Sequence, residues 1–244
     1  MPEELMSLDR DADIQAVNYA KFFQTALSIT PLLKGVLESP EKAPFNPQLN
    51  NQVAMTQLYD YWKNAHPEAG AAYWLTRGWT MLIWQPLYLA FIGAYGIQGV
   101  PKLSLVAQFQ GRDGIVAGFT LTKDCLFTGE LQALINYAGS ELTSLFTALR
   151  EQFSQQYRLR PGFVAHLLAD SVLINLIAFQ QLRTDLDVYQ QAKLWFSALE
   201  LPDKHLSALY KEPESNLWSV KRISCCMHYR RDDGELCANC PKNK

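Results

Sequence analysis

Cysteine is scarce in this chain until its end. Five cysteines occur in 244 residues, and four of them fall between positions 225 and 240. An excess of positive charge is also missing: 22 Lys and Arg against 24 Asp and Glu give a formal net charge of −2. With no basic low-complexity arm and no helix-turn-helix signal, nucleic acid is not an expected partner. There is no internal repeat, and no glycine-rich phosphate loop follows a strand, so no nucleotide-binding fingerprint is present. "GRDG" (111–114) has too few glycines and reads as a turn. The start, "MPEELMSLDRDADIQ", is acidic and lacks the basic opening and apolar centre of a secretory signal. The cytoplasm is therefore the expected compartment. Thiols stay reduced there, and clustered cysteines are metal ligands more often than disulfides.

Apolar residues make up 48% of the chain and charged residues 19%, the composition of a globular protein with a real core. One segment imitates a membrane span, since no charge occurs from Gly78 to Ile97. Its content argues otherwise. Gln85 and Pro86 sit in its middle, and Trp79 and Trp84 lie inside it and not at its two ends. It reads as a buried soluble helix broken near Pro86, with no integral span. A peripheral membrane contact stays open.

Period gives the remaining elements. Ala16, Ala20, Phe23 and Leu27 share one face of a helix over 12–30. "SPEKAPFNPQLNN" (39–51) reads as a loop. Ala54, Leu58, Tyr61, Trp62 and Ala65 align on a second helix that stops near Pro67. "LSLVAQFQ" (103–110) and "IVAGFTLT" (115–122) flank the turn and read as a hairpin. A long stripe runs from Leu131 to Phe153 with a bend expected at Gly139-Ser140. Residues 162–182 are apolar nearly all round, which marks a central helix. Val188 to Leu199 form one more amphipathic helix. Asp203 is placed to cap a short one ending near Tyr210. "KEPESN" (211–216) reads as a linker. The expected fold class is α+β, mainly α-helical. A helical body (1–210) carries one antiparallel β-hairpin (about 103–122). An irregular cysteine tail (217–244) packs on it as part of one domain.

The tail spaces its cysteines C-C-x10-C-x2-C. A structural zinc site wants two chelating knuckles, usually C-x2-C. Only Cys237 and Cys240 have that spacing, and the adjacent Cys225 and Cys226 close a single-metal ring poorly. A 2Fe-2S cluster needs two thiolates on each of two irons, so its ligand pairs need not converge on one point. The obvious partition is Cys237 with Cys240 and Cys225 with Cys226, and it stays open. Lys221, Arg222, Arg230, Arg231, Lys242 and Lys244 crowd the tail against Asp232, Asp233 and Glu235. They suit a cluster of negative charge, and they equally suit a solvated terminus.

"RISCCMHYRRDDGELCANCPKNK" (222–244) resembles the C-terminal signature of the FhuF-like ferric siderophore reductases. The matching positions are Cys225, Cys226, Cys237 and Cys240, with Arg222, Tyr229 and Pro241 around them. The resemblance implies an iron-sulfur oxidoreductase whose 2Fe-2S cluster is held by those four cysteines, with no catalytic residue beyond the cluster. Its body would bind a ferric siderophore, hydroxamates among the candidates. One electron would convert Fe(III) to Fe(II) and release the iron in the cytoplasm. No flavin or nicotinamide motif is present, so a separate donor such as a ferredoxin or flavoprotein is implied. The alternative is a zinc-stabilised, non-enzymatic binding or adaptor module. Among other groups, Cys125 reads as a structural thiol. His166 and Asp170, four apart on one helical face, read as satisfied core polar residues, a proton relay or a ligand pair. His228 could stand in for a thiolate, though four cysteines suffice. Arg77, Arg112 and Lys123 flank the apolar stretch and the hairpin as basic groups without an assigned role.

Overall fold

The computed structural model describes residues 2–38, 40–111, 113–182 and 185–243, with the side chains of all but 2–15, 40 and 182. Arg112 and Lys244, named above, lie outside the described residues.

Helix α1 (Pro2–Ile29) starts earlier than its periodicity predicts. It buries Tyr19, Phe22 and Ala26, while Leu27 of the expected stripe is exposed. The face is rotated because the two rings bury far more apolar area than the alanines would. Helix α2 (Gln52–Ala65) ends as expected ahead of Pro67, since the residue before a proline is pushed out of helical geometry. It buries Ala54, Met55, Leu58, Tyr59 and Trp62.

Helix α3 (Gly70–Phe91) runs straight through Pro86 and passes into a π-helical turn, Ile92–Ile97. The expected break is absent, for a definite reason. Proline has no N–H for the carbonyl of Leu82, four residues back. The buried side chain of Gln108 supplies one instead, its Nε2 donating to the Leu82 carbonyl at 2.9 Å. Its Oε1 in turn accepts from Gln85 Nε2 at 3.1 Å. Gln108 sits on β3 (Ala107–Gln110), which pairs antiparallel with β4 (Val116–Thr120) across a bulge between Gln108 and Gln110. The predicted hairpin therefore forms, although Leu103–Leu105 is a 3-10 turn and not strand. A strand too short to leave a pattern, β1 (Gly35–Val36), adds to β4 in parallel. A second small sheet pairs β2 (Gly99–Val100) with β5 (Phe127–Thr128).

Helix α4 (Leu131–Ser154) is continuous through Gly139, where a bend was expected. The glycine serves close packing: a Cβ there would lie 2.5 Å from both Cβ and the carbonyl oxygen of Ala198. Ala198 ends α6 (Val188–Ala198), whose first turn is capped by Asp187 accepting from Gln190 N–H. Between them α5 (Pro161–Leu182) buries Leu167, Ala169, Asp170, Val172, Leu173 and Leu176. It leaves Ile174 exposed, so it lines one side of the core and is not enclosed by it. Phe91 stacks on Trp195 at 4.7 Å between ring centres, and Tyr95 links the Trp195 indole to Gln191. Two segments, Pro67–Ile97 and Pro161–Gln181, are long and apolar enough to cross a membrane by length and composition; 61% of an apolar 18-residue window in the first and 39% of one in the second are buried inside the protein.

The chain then makes a 3-10 stretch, Asp203–Ala208, in which Asp203 caps nothing. Strands β6 (Leu209–Lys211) and β7 (Trp218–Val220) follow as a hairpin. Residues 211–216, expected as a linker, are mostly its loop, closed by Glu212 N–H to the Leu217 carbonyl at 2.9 Å. The cysteine tail thus leaves the body from a paired strand.

Candidate metal centre

From β7 the chain stays tethered: Lys221 N–H donates to the Ala208 carbonyl and Arg222 N–H to the Asn239 carbonyl. At the next two residues it meets Asp170 of α5. Ile223 N–H donates to Oδ1 at 2.9 Å, and Ser224 N–H to Oδ2 at 2.7 Å. The Ser224 hydroxyl donates to Oδ2 as well. Arg222 Nε lies 3.6 Å from the same oxygen. Cys225 and Cys226 follow directly.

Met227, left-handed at φ 59°, turns the chain into a short 3-10 helix, His228–Arg230. The return loop is pinned to the body at the junction before α3. Arg230 Nη1 donates to the Ala69 carbonyl at 3.4 Å, and Asp232 N–H to Glu68 Oε1 at 3.3 Å. Gly234 passes so close to the His228 carbonyl that a Cβ would lie 2.0 Å from its oxygen. The last turn is closed by Cys240 N–H to the Cys237 carbonyl, with the Asn243 amide on the carbonyls of Cys237 and Ala238.

This path brings all four tail sulfurs into one place, but not in the sequence-adjacent pairs. Cys226 Sγ lies 3.1 Å from Cys237 Sγ, well beyond the roughly 2.05 Å of a disulfide. Cys225 interacts with the buried Cys240. The close thiol contacts thus run across the two sequence pairs: each of the vicinal cysteines meets one member of the C-x2-C pair. Among the described residues no three His, Cys, Asp or Glu side chains close on one point as ligands of a single ion do. Two pairs of soft donors fit a binuclear group better than one tetrahedral ion.

The surroundings suit an anionic, sulfur-rich guest. Burial opposes ionisation of Cys226, but the His228 N–H, the Cys237 thiol and the Arg222 guanidinium outweigh it and bring its pKa below the ordinary thiol value. Burial pushes Cys225 up against the opposing Met227 N–H, and burial with the neighbouring Cys226 pushes Cys237 up. Of Cys225, Cys226 and Cys237, Cys226 is therefore the readiest thiolate. Arg222 Nε is buried without a hydrogen-bond acceptor, beside Cys226 and Cys237. A donor without an acceptor at the edge of a thiol cluster matches a group that accepts through sulfur. Arg77, one of the unassigned cations, also faces this region, stacked 4.7 Å over Trp62 with Cys226 in electrostatic reach.

Other predicted groups fall elsewhere. Cys125 is exposed, beside Tyr19. Lys123 is exposed in the loop after β4. His166 does not pair with Asp170; its ring meets His205, edge to face at 4.6 Å. His228 is half-buried, and burial with Arg231 and Arg77 holds its pKa below the usual imidazole range. The body's contribution went unread: Asp170, Glu68, Ala69 and Tyr73 all touch the tail. Only Asp170 left a signal, as a lone carboxylate in a run of apolar helix that something polar had to meet.

No solved structure matches this chain. Residues 222–242, from the arginine that faces Asp170 to one residue past the proline after the last cysteine, match the family model of the FhuF 2Fe-2S C-terminal domain. Residues 222–242 are therefore a FhuF 2Fe-2S C-terminal domain, with a 2Fe-2S cluster as its cofactor.

Proposed function

We propose that this protein is a ferric siderophore reductase of the cytoplasm, with Cys225, Cys226, Cys237 and Cys240 as the cluster ligands. The observation that carries the reading is the family match over a segment whose four thiols gather in two crossed pairs. When bound, the cluster supplies single electrons. The substrate is Fe(III) held by hard siderophore oxygens. One electron makes it Fe(II), whose lower charge density weakens those bonds, and the metal leaves to cellular ligands. The electron is replaced by a separate donor, a ferredoxin or flavoprotein.

The chain's own residues do the placing. The body (1–210) binds the siderophore and the tail (217–244) holds the cluster, the two working as one folded unit. Arg222 and Arg77 offset negative charge beside Cys226 and favour acceptance of an electron. No side chain needs to move a proton for the iron to be reduced.

The test is anaerobic. Chemically reduced protein is mixed with a panel of ferric siderophores, hydroxamates included. Visible absorbance reports reoxidation, and a ferrous chelator traps the product. The expected result is stoichiometric Fe(II) with one electron lost per chain. A red-brown protein that no ferric siderophore reoxidises would refute the reductase reading. A colourless protein carrying zinc would establish the structural-clip alternative.

A further inference from the structure

We propose that Asp170 of α5 is the positioning residue of the cluster. It clamps the backbone that presents the vicinal cysteines, and it holds Arg222 in place beside Cys226 and Cys237. The inference rests on the ligand assignment proposed above.

The clamp is unusually complete. Both oxygens of this fully buried carboxylate are used: one takes the Ile223 N–H, the other the Ser224 N–H and hydroxyl. Two consecutive backbone donors on one carboxylate fix the direction of the chain one residue before Cys225. An error there would be carried into both thiols at once. A buried carboxylate needs compensation to stay charged, and charge-assisted hydrogen bonds supply it.

The second half concerns Arg222. Its Nε sits 3.6 Å from Asp170, close enough for attraction, yet it makes no hydrogen bond there and has no other acceptor. The carboxylate thus orients the guanidinium without consuming its donors. They remain available to the sulfurs, and Arg222 does interact with both Cys226 and Cys237. Asp170 thereby acts on the cluster through another residue and through the backbone. Donors aimed at cluster sulfur, and charges near it, set its potential. A carboxylate serving only to fill the core would leave that quantity unchanged.

The experiment uses the full-length, cluster-loaded protein. Asp170→Asn keeps the shape and removes the charge. Iron and labile sulfide per chain, the rate of iron loss to a chelator, the electron paramagnetic resonance of the reduced cluster and its potential are measured beside wild type. Expected are iron loss roughly tenfold faster, as for a lost charge-assisted bond, altered resonance g-values and a shifted potential. Arg222→Gln should shift the potential too, and the double variant should shift it by less than the sum, because one residue acts through the other. Ser224→Ala should raise the iron-loss rate and leave the potential nearly unmoved.

Asp170→Asn identical to wild type in iron loss and resonance would overturn the proposal, as would additive potential shifts. Apo Asp170→Asn that has lost its helical circular dichroism would make Asp170 a core-fold residue and overturn it as well. The four single Cys→Ser variants separate the two layers of inference. If none of them lowers iron content while wild type is loaded, the ligand assignment fails and the positioning role fails with it. If they do and Asp170→Asn is silent, only the positioning role fails.

Discussion

Gln108 donates to the carbonyl that Pro86 leaves free and accepts from Gln85, with none of the three side chains exposed to water. Replacing it by Leu would strand two buried polar groups. The expected loss is about 2 to 6 kcal/mol, from roughly one to three for each. Urea denaturation of the apo protein measures it. The double variant Gln85→Leu with Gln108→Leu should be no worse than Gln108→Leu alone, since it removes the stranded amide. His205 sets a pH dependence. It is 2% exposed with neither ring nitrogen partnered. Burial, His166 and Lys204 hold its pKa below the usual imidazole value, against the opposing pull of Asp170. The folded state keeps His205 neutral where the unfolded chain would take a proton, at about pH 6.5. Its contribution is therefore intact above that pH and lost as pH falls through the lowered folded value. Thermal melting should weaken from pH 7 to 5.5, and less so in His205→Leu. Equal weakening in both would contradict it.

The tail is an element with little apolar core of its own: among its described side chains the buried ones are Val220, on β7, Ser224 and Cys240. Its order comes from the root on Asp170, the pin on Glu68 and Ala69, and the cluster. Without the cluster the root should hold and the rest should loosen, because a metal site of this kind couples ligand binding to local folding. Hydrogen exchange should show Ile223 and Ser224 still protected in the apo protein and residues 228–240 freed. Circular dichroism should keep nearly all the helix; collapse of the helical signal on cluster removal would contradict the scheme. What could be read beforehand follows the range of the interactions. The helices carried their own period, so α2, α4 and α6 lie where Leu58, Leu142 and Ala192 put them. The cysteine motif was local, and its spacing spoke directly. Pro86 misled, because its remedy sits on a strand beyond the end of its helix. Strand β1 was invisible, being two residues that pair only with β4. The crossing of the cysteine pairs was hidden too, because it depends on how the loop from Met227 to Gly234 turns back.

For the whole molecule, the core is continuous from α1 to β7, and the uncharged segment from Gly78 to Ile97 packs within it. Trp84 donates to the Val116 carbonyl at 2.9 Å, tying α3 to the sheet, and Phe91 to Trp195 ties it to α6. A segment so engaged cannot leave for lipid without stranding Gln85 and the Leu82 carbonyl, at several kcal/mol each. The protein should therefore purify from the soluble fraction without detergent. Recovery only in a carbonate-washed membrane pellet would count against this. The joint between Pro86 and Gln108 also has a hereditary side. Without the proline, an ordinary N–H would reclaim the Leu82 carbonyl, and a glutamine amide would be left buried and idle. Without the glutamine, the proline leaves that carbonyl bare. Each single step passes through a poorer protein, so a lineage that drops one of the two residues is expected to have dropped the other.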